Sequence, residues 1–292
     1  TGLCREVTGE YADIINAINA SGAYVISADI PSGLSSDSGQ ILGTAVRADK
    51  TVAIAELKAG FALASGFDCC GTVVVKDIGI CPDEGGYAAV YDDSDIAKFY
   101  PARPRNSHKG TFGTATLVCG SAQYVGSAVL AVSAALKSGC GYVKAVCADE
   151  VKAAIAPNFP QTVFSVQPDL SSRAIAIGMG CGVSQALHDT IDYLLKEYTG
   201  TLIIDADGLN SLAMYGTDIL KDKKCNVILT PHIKEFSRIS GKTAGEVLAA
   251  PVACAQQLAR EYAATIVLKG AGTVICDGKN TVINTRGCSA LA

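Results

Sequence analysis

Residues 227–238 read VILTPHIKEFSR. An apolar, largely β-branched run stops at Thr230-Pro231-His232 and hands over to a helical pattern, so the stretch reads as strand, polar corner and helix, half of a βαβ unit. In open α/β sheets the carboxyl ends of parallel strands form the crevice where ligands sit, which places Thr230 and His232 where a substrate would be met. The same corner also reads as a plain turn at Pro231 with His232 capping the helix. What favours a site is that other strands of this half end in glycine-rich or acidic corners. Residues 114–118 precede Gly120-Ser121, and 174–177 precede Gly178-Met179-Gly180-Cys181-Gly182. Residues 201–204 precede Asp205-Ala206-Asp207-Gly208, and 265–269 precede Gly270-Ala271-Gly272-Thr273.

The stretches between these strands carry helix signals. Residues 128–136 are apolar almost all round, which predicts a helix clasped between layers. Ser184 is placed to N-cap a helix with Leu187, Ile191, Leu194, Leu195 and Tyr198 on one face. Thr243 and Glu246 have capping-box spacing, and Pro251 suits the first turn of a helix that reaches Tyr262. Asp205 and Asp207 stand where carboxylates can hold Mg²⁺ or orient a hydroxyl; the expectation is one functional and one structural acid. After residue 268, glycines that let a backbone approach phosphate closely adjoin the charge of Lys269.

Working towards the amino terminus, residues 11–20 place Ile14, Ile15 and Ile18 at helical spacing, and Gly22 ends the pattern. A strand over 23–28 then runs into Asp29-Ile30-Pro31-Ser32-Gly33-Leu34. A carboxylate at a strand end suits general acid/base work, and a serine oxygen there suits a hard cation; the alternative is an Asx-type turn that only satisfies backbone donors. Strands follow at 50–55 and 71–76. A polar, glycine-bearing passage over 81–95 and the connector Tyr100-Pro101-Ala102-Arg103-Pro104-Arg105 predict a domain boundary near residue 95.

With 292 residues, 49% of them apolar, the chain has material for two cores. A net charge of −4 with scattered basic residues gives no footprint for nucleic acid or for an anionic membrane. No apolar run approaches the roughly 20 residues that span a bilayer. The twelve cysteines never form C-x-x-C and lie mostly in apolar runs, so they read as small core residues of a cytoplasmic protein without bridges. The chain begins at Thr1 and stops shortly after a strand pair, which reads as an internal piece of a longer protein.

Taken together the motifs resemble the bifunctional NAD(P)H-hydrate repair enzymes, in which an epimerase domain precedes an ADP- or ATP-dependent dehydratase domain of ribokinase-like fold. ADIPSGL, ADKT and VVVKDIGI look like the second half of the epimerase. HKGTFG, the glycines from Gly178, DADGLN, TPHIKEF and LKGAGT look like the dehydratase, in order. The resemblance covers essentially the whole chain. It implies an α/β architecture: a partial Rossmann-like epimerase domain over 1–95, then a dehydratase domain over 96–292 without its C-terminal segment. It further implies epimerisation of the R and S hydrates and nucleotide-dependent dehydration of the S form to NAD(P)H. By the resemblance, Asp29 is the catalytic acid and a substrate contact, Ser32 ligates K⁺, and Gly2, Leu3, Cys4, Arg5 and Glu6 are the tail of a second substrate loop. Ser127, Gly182, His232, Ile233, Lys234, Glu235, Phe236, Ser237 and Arg238 would contact the hydrate. Lys269, Gly270, Ala271, Gly272 and Thr273 would hold ADP or ATP, with Mg²⁺. The small-molecule hydrate is the expected partner, and homo-oligomerisation is left open.

Ser127 stands where the family commonly has Ala, and Met179 where it commonly has Pro. The epimerase's amino-terminal half and the dehydratase's final G-x-G-D segment are not in the sequence, which implies that residues 1–292 alone do not dehydrate the hydrate. Two other readings stay open: a ribokinase-like kinase for a vitamin precursor, and a nucleotide-binding but inactive fragment.

Overall fold

The computed structural model describes residues 5–80, 87–100 and 102–288. Among them the elements run α1 (Glu10–Ala20), β1 (Ile26–Ala28), β2 (Lys50–Ile54), α2 (Gly66–Cys69), β3 (Thr72–Lys76), β4 (Ala89–Val90) and α3 (Asp93–Ala97). There follow β5 (Thr114–Cys119), α4 (Val125–Lys137), β6 (Tyr142–Val146), α5 (Asp149–Asn158), β7 (Val163–Phe164), β8 (Ala174–Met179) and α6 (Gln185–Glu197). The chain continues through β9 (Thr201–Ile204), α7 (Asp207–Tyr215), β10 (Asn226–Leu229), α8 (Ile233–Ser240), α9 (Ala244–Ala249), α10 (Pro251–Tyr262), β11 (Thr265–Leu268), β12 (Thr273–Cys276) and β13 (Thr281–Asn284). No helix among the described residues is long and apolar enough to cross a membrane.

The described residues fall into two compact units. One takes those within Thr1–Ala97, Thr243–Gln257 and Leu268–Ala292, the other those within Lys98–Lys242 and Leu258–Val267. In the first unit β1, β2 and β3 form a parallel sheet in that order. Strand β1 is shorter than residues 23–28 suggest, because only Ile26–Ala28 pair with β2. Leu34, Ala53, Phe61, Cys69 and Cys70 close over the sheet as its core. The same unit holds the antiparallel pair β12–β13, with β4 parallel to β13.

The second unit is built on parallel strands in the order β11-β10-β9-β8-β5-β6-β7. Leu202, Ile204, Val227, Leu229 and Ile266 are buried, and each such side chain contributes about 1.5–3 kcal/mol of transfer free energy. Ser184 Oγ accepts the Leu187 N–H at 3.2 Å, which starts α6 as its cap, and Leu187, Ile191, Leu194 and Leu195 bury the face the periodicity marks. At the other end the Tyr198 hydroxyl donates to Ser172 O at 2.8 Å.

Helix α4 differs from the clasped helix its composition suggests. Ala128 and Val132 are buried against β5, β6 and α5, but Leu130 is 72% exposed, so among the described residues one face alone is covered. The chain between 148 and 173 carries little helical period, yet it forms α5, with Asp149 and Glu150 in the favourable first turn and Val151 and Ile155 buried one turn apart.

Candidate functional site

The order of strands locates a crevice in the second unit. From β5 the chain moves outward through β6 and β7, then returns to β8 on the other side of β5 and proceeds the opposite way to β11. The reversal makes β5/β8 the topological switch point, where loops at the carboxyl ends part and leave an opening. The loop after β8 and the start of α4 both lie there. A Cβ on Gly180 would come within 2.5 Å of Ser127 Oγ, so the glycine is what lets Ser127 and this loop approach. Gly182, with φ +78, has open space where a Cβ would point. Its N–H donates to Asp207 Oδ2 at 2.8 Å, which ties the loop to the first residue of α7.

Gly178 and Gly208 explain how α7 sits so close. A Cβ on Gly178 would stand 2.1 Å from Asp205 O and 2.5 Å from Gly208 N, and Gly178 has φ +113. At Gly178 backbone stands against backbone and leaves no room for a side chain, while a Cβ on Gly208 would come within 2.8 Å of Ile204 Cγ2. Between them Ala206 holds φ 49, a region that costs free energy for a residue with a Cβ. Of the two acids, Asp207 is engaged in holding the loop, and Asp205 and Asp207 are both half-buried.

At the central corner His232 caps α8, and its ring stays partly exposed. Its Nδ1 accepts the N–H groups of Lys234 at 3.0 Å and Glu235 at 3.3 Å, while Glu235 Oε2 accepts the His232 N–H at 2.9 Å. This reciprocal pair satisfies orphan donors of α8, and an accepting Nδ1 puts the proton of the neutral ring on Nε2. The His232 side chain stays 49% exposed. The run from His232 to Arg238 is not one continuous contact surface. Helical period turns Phe236 into the core at 0% exposure and Glu235 inward at 5%, whereas Lys234 and Arg238 are exposed; Ile233 and Ser237 are intermediate. Arg238 donates to Asn210 Oδ1 at 2.6 Å, linking α8 to α7. Sequence reading missed that partner, since the pair is 28 positions apart; its one hint is that Asn210 lies within DADGLN.

Cys181, between the two loop glycines, is pushed up to about 11, chiefly by burial, so it is a poor nucleophile. The second glycine of HKGTFG is a joint: Gly113 O accepts the N–H groups of Gly141 at 3.0 Å and Tyr142 at 3.1 Å.

In the first unit, Arg5, Glu6 and Ser32 line one cavity of about 510 Å³ together with Tyr11, Ile14, Ile15 and Ile18 of α1. Gly2, Leu3 and Cys4 lie outside the described residues. Asp29 has φ 65, and its Oδ1 accepts the Ile54 N–H at 3.2 Å and a hydrogen bond from Lys58 Nζ. Burial raises its pKa, but the Lys58 bond, the Ile54 N–H and the Lys58 charge together bring it below the usual carboxylate range. Lys58 carried no sequence signal, being 29 positions away. Lys269–Thr273 also belong to this unit, whereas Ser127, Gly182 and the residues from His232 to Arg238 belong to the second. Gly270 has open space at its Cβ position and Gly272 has none, since a Cβ there would stand 1.9 Å from Ala62 O. Gly270 and Ala271 are exposed. Among the described residues no group of three or more His, Cys, Asp or Glu is placed to hold a metal ion, and the ten described cysteines are free.

Residues 115–292 match the family profile described as NAD(P)H-hydrate dehydratase, and residues 1–60 match that of the YjeF-related protein N-terminus. The whole chain is 34% identical to a bifunctional NAD(P)H-hydrate repair enzyme of Thermofilum pendens, of which it covers 59%. Over 95% of its length it is 34% identical to the protein of that name from Mycobacterium tuberculosis, covering 57%. The chain thus spans somewhat more than half the length of these curated relatives. The structure is similar to that of the ADP/ATP-dependent NAD(P)H-hydrate dehydratase of Bacillus subtilis co-crystallised with ATP and Mg²⁺, with TM-score 0.63 and 30% identity over 70% of this chain and 75% of that one. A ribokinase-like protein of Enterococcus faecalis shares the fold, with TM-score 0.60 and 21% identity over 72% of this chain and 75% of that one. With more than half of its residues matched by the profile and a ribokinase-like α/β core beneath them, the chain belongs to the NAD(P)H-hydrate dehydratase family.

Proposed function

We propose that this protein repairs hydrated nicotinamide nucleotides, with residues 96–292 serving nucleotide-dependent dehydration of the S hydrate and residues 1–95 serving interconversion of the R and S forms. The observation that carries the reading is the crevice at the β5/β8 switch point, where Ser127, Gly180, Gly182 and Asp207 meet. The partly exposed Gly182 and the exposed His232, Lys234 and Arg238 of the same unit suit a polar ring-bearing substrate. Lys269 and the exposed Gly270 and Ala271 would hold the phosphates of ADP or ATP, because glycine amides and one ammonium fit an anion. Mg²⁺ would accompany those phosphates, keeping most of its shell as water and phosphate oxygen.

The chemistry needs the ring hydroxyl made into a leaving group. Transfer of a phosphoryl group to that oxygen does so; phosphate then departs with the C–O electron pair, a proton leaves the neighbouring carbon, and the ring double bond of NAD(P)H is restored. Such transfer depends on positioning and charge stabilisation more than on covalent help from the protein. In the first unit Asp29, held as a carboxylate, suits proton transfer for epimerisation, and the oxygens of Ser32, Thr8 and Glu6 about the 510 Å³ cavity fit a hard cation such as K⁺. The free cysteines suit a reducing compartment such as the cytoplasm.

The test follows the reduced-nicotinamide absorbance after adding hydrate, Mg²⁺ and either ATP or ADP to the protein expressed from its whole reading frame. Absorbance should return with nucleotide only, and Lys269→Ala should weaken nucleotide binding by about 1.5–3 kcal/mol, the scale of a charge-assisted bond. Absence of any nucleotide-dependent recovery sinks the proposal.

A further inference from the structure

Asp29 follows β1 and Lys58 follows β2, and the two strands run parallel with Ala28 opposite Val52, so both residues reach the same edge of the sheet. The backbone holds the acid firmly: Asp29 N donates to Val52 O at 2.8 Å, and φ is +65. Lys58 Nζ donates to three acceptors, Asp29 Oδ1, Ile54 O at 2.7 Å and Glu56 O at 3.2 Å. An ammonium has three N–H donors, and all three are taken. The Ile54 N–H ends on the same Oδ1, and among the described residues Oδ2 takes no hydrogen bond.

From this asymmetry we infer that Lys58 is a positioning residue for the epimerisation proposed above: it pins Oδ1 of Asp29 and leaves Oδ2 to exchange the proton with substrate. The inference rests on reading Asp29 as that reaction's acid/base. Lys58 does not itself meet the proton, because releasing one would break a bond to a carbonyl or to the carboxylate. It is the charged group that acts on Asp29, while Glu56 contributes its backbone oxygen. A merely structural ion pair at this exposure, 26% for Lys58 and 42% for Asp29, would steady the fold slightly and leave turnover alone.

The experiment measures R-to-S interconversion against pH in protein from the whole reading frame, for the wild type, Lys58→Met, Lys58→Arg and Asp29→Asn. Lys58→Met is expected to lower kcat by roughly tenfold or more, within the range of acid/base contributions, with KM little changed and the acid limb of the profile moved to higher pH. Lys58→Arg keeps the charge, so the limb should return and kcat recover in part. Where Lys58→Met does not fold, Lys58→Gln, which keeps two N–H donors for the carbonyls and removes the charge, is read in the same way. Wild-type kcat and an unmoved limb in the folded uncharged variant, beside an inactive Asp29→Asn, overturn the role of Lys58 alone. A fully active Asp29→Asn overturns both this inference and the epimerase reading beneath it.

Discussion

Gly182 and Asp207 are joined by a 2.8 Å hydrogen bond from backbone N–H to carboxylate Oδ2, and this bond ties the glycine loop after β8 to the start of α7. A bond to a charged acceptor contributes about 1.5–3 kcal/mol, and an orphaned, half-buried N–H costs on the same scale. Asp207→Ala should therefore lower unfolding free energy by about 1–2 kcal/mol and speed hydrogen exchange at the Gly182 amide. Exchange at that amide unchanged from wild type would falsify the tie.

His232 should behave first as a cap. Removing a good N-cap costs about 0.5–2 kcal/mol, so His232→Ala should lower the urea midpoint accordingly, while His232→Asn, whose side-chain oxygen accepts in the same place, should recover most of the loss. As a proposed substrate contact the exposed ring has a second effect: His232→Asn will still raise KM for the hydrate. An Asn variant that restores stability and KM together would confine His232 to capping.

Gly178, in β8, and Gly182, in the loop after it, should respond very differently to alanine. Gly178 has backbone atoms within 2.1–2.8 Å of the Cβ position, whereas Gly182 has none within 4 Å. Gly182→Ala carries the cost of its positive φ, about 1–2 kcal/mol; Gly178→Ala adds an overlap that must move α7, on the order of 3 kcal/mol or more. Equal melting temperatures for the two variants would contradict the packing of α7 on β8.

Ala206 offers the reverse case. Its φ of 49 strains any residue with a Cβ, so Ala206→Gly should stabilise by roughly 0.5–1 kcal/mol after the added chain entropy of glycine is subtracted. Calorimetry decides it, and a lower melting temperature counts against strain at this corner.

Acid sensitivity should centre on Asp169. The Lys144 ammonium at 2.6 Å, followed by the Ser171 hydroxyl and N–H, lowers its pKa from 3.8 to about 2. The folded value lies below the unfolded one, so the carboxylate's contribution is complete above about pH 4 and is lost as pH falls through about 2. Asp169→Asn, which keeps an acceptor for Ser171, should cost about 1–2 kcal/mol at pH 7, allowing for partial solvent screening, and nothing near pH 1.5. A pH-independent difference between the two proteins would mean that the charge is not what matters.

Most elements were legible in the chain because their causes are local. The caps at Ser184 and Thr243, the period of α6 and the boundaries of β9 depend on residues within one or two turns, and the sequence displays those directly. Even the corner at residues 230–232 declared itself through a strand giving way to a capped helix. Strand order, and with it the switch point between β5 and β8, was decided by packing, since no residue states which neighbour its strand will choose. The same holds for Asp29 with Lys58, Asn210 with Arg238 and Gly182 with Asp207, pairs separated by 29, 28 and 25 positions. It holds also for orientation: helical period puts Phe236 and Arg238 on different faces of α8, and only tertiary packing made one of them core and left the other in solvent.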